Sequence, residues 1–121
     1  MVIKGYKMKT IKILGYTYTI STTSKKKVEG FSGRADCSRH ILYISPLICE
    51  EEKISTLLHE IIETLKVHLD LQISHHKITL LENGIYTILK DNGIDISKLL
   101  RNKKRAKNRK RLHNNRKIHN I

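Results

Sequence analysis

The stretch STLLHEIIETL, residues 55–65, decides how this chain is read. Together with Ile54, its Leu57, Leu58, Ile61, Ile62 and Leu65 recur at helical spacing, which predicts an amphipathic helix from residue 50 to about 68. Glu50, Glu51 and Glu52 open that segment and suit the positive end of a helix dipole. His59 and Glu63 stand four residues apart, on one face and one turn from each other, close enough to hold the same cation, while Glu60 projects about 100° away. This is the layout of the H-E-x-x-H zinc helix, where two side chains bind the metal and the intervening Glu takes a proton from water. Here the second ligand position carries Glu63, and carboxylate oxygen is an ordinary zinc ligand. Both residues fall outside the main apolar stripe, so a solvated i, i+4 pair is the competing reading.

Upstream, the residues from Met8 to Thr22 are rich in Ile, Tyr and Thr around Gly15, which predicts a hairpin of residues 10–14 and 16–21. A lysine-bearing loop follows at 24–30. A short strand is expected at 34–36 and a better one at 40–44, HILYI, stopped by Ser45 and Pro46. Downstream, Ser74 can cap a second helix with apolar positions Ile78, Leu81, Ile85, Ile88 and Leu89, and Asn92-Gly93 ends it. Residues 94–100 make one more short turn. There is no internal repeat. Strands first and helices after argue for an α+β fold, a small antiparallel sheet with two helices packed on one face.

A third ligand should come from the second helix. His75 and Glu82 are seven residues apart and within about 20° of each other on the wheel, with Tyr86 just past them; both are candidates. They meet His59 and Glu63 if the helices pack antiparallel, with His75 about level with the end of the first helix. His76 points about 100° away and is the weaker candidate. His40 and His68 read as surface or strand residues, and His113 and His119 lie in the tail.

The chain has 121 residues, enough for one domain with a modest core built from Ile, Leu, Val and a few Tyr, since there is no Trp and one Phe. Its net charge of +13 is unevenly placed. Ten of the 24 Lys and Arg stand after residue 100 with no acid among them, so the other 14 face all 11 acids over residues 1–100 and leave about +3 there. The expected division is therefore a domain at 1–100 and a basic, disordered tail at 101–121. That tail would neutralise several phosphates of a nucleic acid without sequence preference, because it has no aromatic side chains to stack on bases. Cys37 and Cys49 show no metal-ligand spacing, and lysines interrupt every early apolar run, so reduced thiols in a cytoplasmic protein without a signal peptide are expected. No stretch approaches the roughly 18–20 apolar residues of a membrane span. Met8 opens MKTIKIL and is a candidate start. Nothing in the sequence marks an oligomeric state.

The run ILYI at 41–44, the acidic turn after it, TLLHEIIE at 56–63, the H-x-x-I of His75 to Ile78, and LENGIYTILKDN at 81–92 together resemble small phage and prophage proteins related to the ImmA/IrrE-type metallopeptidases. The likeness covers residues 8–93. It implies a minimal zincin-like domain with zinc on His59 and Glu63, Glu60 as general base and His75 as third ligand. Glu82 would replace His75 or orient a ligand. The activity implied is that of a zinc-dependent metallopeptidase acting on a protein substrate, a repressor or other regulatory protein in the bacterial host cytoplasm. One departure stands out: the helix motif of the active peptidases ends in His where this chain has Glu63. The rival expectation is a nucleic-acid-binding accessory protein that uses the zincin-like domain as a scaffold, with a structural metal or none.

Overall fold

The computed structural model describes residues 9–100, and beyond them the backbone of three short strands. In chain order the elements are β1 (Val2–Ile3), β2 (Tyr6–Lys7), β3 (Lys9–Ile13), β4 (Tyr16–Ser21), β5 (Gly33–Asp36), β6 (Ile41–Ile44), α1 (Glu50–Leu69), α2 (His75–Asp91) and β7 (Lys103–Lys104). Two 3-10 turns, Lys26–Val28 and Ser97–Leu100, complete the set.

The first long hairpin forms where the β-favouring residues flank Gly15. Ile13 pairs with Tyr16, leaving a two-residue loop in which Leu14 (φ 52°) and Gly15 (φ 86°) both take positive φ, the backbone whose twist matches the flanking strands. Alternation then puts Ile13, Tyr18 and Ile20 on the buried face. A second hairpin joins β5 to β6 through residues 37–40. Asp36 Oδ1 accepts from Ser38 Oγ at 2.8 Å and from the Arg39 N–H at 3.1 Å, and His40 (φ 58°) closes the turn, so the strand begins at Ile41 and not at His40.

The main sheet has the order β3-β4-β6-β5 and is mixed, which corrects the antiparallel expectation. After β4 the chain crosses to the far edge, runs back as β5, and turns into β6, which inserts beside β4 in the same direction, with Ile20 opposite Leu42. Strand period reports which face a residue takes and is silent on which neighbour it pairs with. One face of the sheet, with Ile20, Leu42 and Ile44, packs on Leu57 of α1 and on Leu100. Val28 and Tyr43 are buried on the other side, under the turn at Lys26–Val28.

Helix α1 buries Leu57, Leu58 and Ile62; Leu57 joins the sheet core, and Ile54, Ile61 and Leu65 pack against that core, as its periodicity requires. It ends where Asp70 (φ 51°) turns left-handed, with the Leu71 N–H bonded to the Lys66 carbonyl at 3.0 Å. Ser74 caps α2 by accepting from the Lys77 N–H at 3.2 Å. α2 packs on α1, not beside it on the sheet, because α1 already covers that face. Only Ile78 of its apolar positions is buried and Leu89 is half-buried; Leu81, Ile85 and Ile88 are exposed although their spacing is that of an apolar helix face.

The tail from residue 101 lies outside the described residues except for Lys103–Lys104, which pair antiparallel with Tyr6–Lys7. No described helix is long and apolar enough to cross a membrane.

Candidate metal centre

Periodicity keeps Leu57, with Ile54, Ile61 and Leu65 beside it, on the sheet and leaves another strip of α1 to α2. That strip holds Ser55, His59 and Glu63 at successive i, i+4 steps. Across it stand His75 in the first turn of α2 and Glu82 two turns on. His59, Glu63 and His75 each offer a ligand atom within 4.8 Å of the others, a group that could hold a metal ion, and the rings of His59 and His75 meet edge-on with centroids 4.8 Å apart. His75 faces the middle of α1 rather than its end, because the chain runs on through Asp70 and an extended connection before α2 begins.

Glu82 takes a different position from the three. Its Oε1 lies 2.9 Å from His59 Nδ1, and its Oε2 accepts a hydrogen bond from Ser55 Oγ. With Nδ1 engaged, Nε2 is the nitrogen that His59 has left for a cation. A carboxylate on the far nitrogen of a ligating imidazole sets its tautomer and ring plane. Of the two readings of Glu82, replacement of His75 or support of a ligand, this geometry matches support. His76 is exposed and outside the group.

Glu60 is buried at 7% exposure, between α1 and the start of β5. Its carboxyl pKa is raised from 4.5 to about 7: burial is the largest cause, His59 works against it, and the Glu63 and Glu82 carboxylates add to it. The strand above it fits closely. A Cβ on Gly33 would come within 2.5 Å of Thr56 Cγ2, 2.8 Å of the Tyr43 carbonyl oxygen and 3.3 Å of Glu60 Cγ, so only glycine lets β5 lie this near the helix.

These residues line a cleft of ≈ 800 Å³ between α1, α2 and β5. β5 is a sheet edge. The Ser45 N–H bonds to the Ser32 carbonyl at 2.7 Å, so the alternation of the antiparallel pair turns the peptide groups of Gly33 and Ala35 toward the open side. Cys37 reaches the cleft wall; it and the exposed Cys49 are free thiols.

Sequence reasoning missed Ser55 and Gly33. Ser55 had a signal, since it sits one turn before His59 on the same line. Gly33 had none, because its constraint comes from Thr56 and Tyr43, distant in sequence. His40 and His68 take no part in the group. His68 Nε2 is 2.6 Å from the hydroxyl of the fully buried Tyr18 and its ring stacks on Tyr16 at 4.7 Å, which ties the last turn of α1 to the first hairpin. Burial, with the Cys37 thiol next in effect, pushes the Tyr18 phenol up, so it stays neutral.

Compared with protein-family models, with curated proteins and with solved structures, the chain matches none.

Proposed function

We propose that the cleft is the active site of a small zinc-dependent peptidase, with zinc held by His59, Glu63 and His75. The observation that carries this reading is the convergence of two imidazoles and a carboxylate from two helices, one of the imidazoles held from behind by Glu82. Nitrogen and oxygen donors in that number suit zinc with one position left open, the arrangement of catalytic rather than structural sites. Zinc there would supply Lewis acidity toward a carbonyl and lower the pKa of water. Glu60, next to the ligands along the helix but outside the group, is the base that accepts the proton of the attacking water and passes it to the departing amine. Glu82, anchored by Ser55, keeps the His59 ring in place.

The open edge of β5 fits an extended peptide, which would add to the sheet through the peptide groups of Gly33 and Ala35 and lie along the cleft. The resemblance to phage and prophage proteins points to a regulatory protein as the substrate.

Metal analysis of the purified protein is expected to find about one zinc per chain, from one set of three ligands. His59→Ala and Glu63→Ala should each lose most of it. Glu60→Gln should keep zinc and fold but lose peptide hydrolysis by about a hundredfold or more. Protein that carries no zinc and fails to rebind it after chelation would defeat the reading.

A further inference from the structure

Helix α2 presents more apolar surface than its own chain covers. Leu80, Leu81, Ile85 and Ile88 are 55%, 47%, 36% and 59% exposed, and with Gly84 they form a stripe about 140° wide. Gly84 lies about 180° around the helix from His75 and the centre of the stripe about 150°, so the stripe and the cleft occupy opposite sides of α2. Patches of neighbouring aliphatic side chains on a soluble surface mark contact sites.

Two further features of the same face say what covers it. Gly84 stands in the helix interior, where glycine is about 1 kcal/mol worse than alanine, and an added Cβ there meets nothing within 4 Å. Nothing in the single chain requires it. Lys77 and Asp91 lie near the same line, each seven residues from Gly84, at the first and last turns of α2. Each has the wrong sign for the end of the helix dipole it occupies, and neither forms an ion pair among the described residues.

We infer that α2 pairs antiparallel with α2 of a second copy of this chain, about a two-fold axis at Gly84. Any residue n then faces position 168 − n across the axis, an arithmetic set by Gly84 alone. Lys77 meets the partner's Asp91, once at each end, and the charges that disfavour an isolated helix become two symmetric ion pairs. Leu80 packs against the partner's Ile88, and the missing Cβ of Gly84 lets the backbones approach at a shallow crossing. Residues 101–121 are a poor alternative occupant: ten positive charges gain nothing from an apolar stripe. A 17-residue helix is about 25 Å long and covers less than the roughly 800 Å² per partner of a tight interface, so association falls in the micromolar range. The cleft stays open in the dimer, which makes the inference independent of zinc.

Sedimentation velocity on the full chain, over about 1 to 500 µM at low salt, should show monomers giving way to dimers. Lys77→Asp and Asp91→Lys should each weaken dimerisation about tenfold by turning two attractions into two repulsions, and the double variant should recover it to within about threefold. Both single changes improve the fit to the helix dipole, so circular dichroism should find the variants folded. Ile88→Asp should leave only monomer. A wild-type chain that remains monomeric throughout overturns the inference, as does a dimer that tolerates Ile88→Asp or fails to recover in the double charge exchange.

Discussion

Glu60 combines two demands that conflict in the metal-free protein. Its position beneath Gly33 keeps it out of water, whereas the proposed role as a base requires it to be ionised. With a folded pKa of about 7 against 4.5, the folded chain holds this proton more tightly than the unfolded chain. The sign follows: the contribution of Glu60 to stability is complete below pH 4.5 and is lost as pH rises through about 7. The full difference is on the order of 3 kcal/mol, at about 1.4 kcal/mol per unit. Glu60→Gln removes that dependence. In chelator, urea titrations should find the variant more stable than wild type at pH 8 and the gap closing by pH 5. A gap that stays constant over this range would mean that Glu60 is not buried as a protonated acid. His59, Glu60 and Glu63 were legible as a unit because all three lie within five residues of one helix, where spacing alone defines direction.

At the scale of elements, the site depends on how the ends of α2 are made. Ser74 accepts from the Lys77 N–H, and His75 is the first residue inside that cap. Ser74→Ala should lower stability by about 1 kcal/mol and loosen the first turn. A ligand on a frayed turn must be ordered before it can bind, so zinc affinity should fall by about fivefold, measured by competition with a chromophoric chelator. A thermal midpoint that drops with zinc affinity unchanged would show that packing against α1, not the cap, positions His75. The helix limits themselves were readable, since Ser74, Asn92 and Gly93 are local signals. The outward stripe on α2 was not: Leu81, Ile85 and Ile88 have the spacing of a core face, and only the prior claim of α1 on the sheet turned them to solvent.

For the whole molecule, charge and chemistry are segregated along the chain. The cleft draws on residues of the nearly balanced part, while the ten positive charges after residue 100 carry most of the excess. We propose that this segment gives a salt-dependent, sequence-independent attraction to nucleic acid, separate from the cleft. A chain ending at Leu100 should bind a random DNA duplex at least about tenfold more weakly than the full chain at low salt, with the difference shrinking as salt is raised. Its zinc content should be unaltered. Equal DNA affinity for the two chains would move the nucleic-acid surface into the domain or remove it altogether.

What the sequence determined by itself is what acts at short range: the helical spacing of Leu57, Leu58 and Ile62, the caps, the hairpin around Gly15, and the one-turn step from His59 to Glu63. These depend on backbone geometry within a few residues. Tertiary structure alone decided that β6 runs parallel to β4, that Glu82 stands behind His59 while His75 joins it, and that Gly33 admits no side chain. Each of these is a meeting of segments far apart in the chain. Their relative placement follows from which apolar face claims the sheet first, a competition over the whole molecule that no local pattern records.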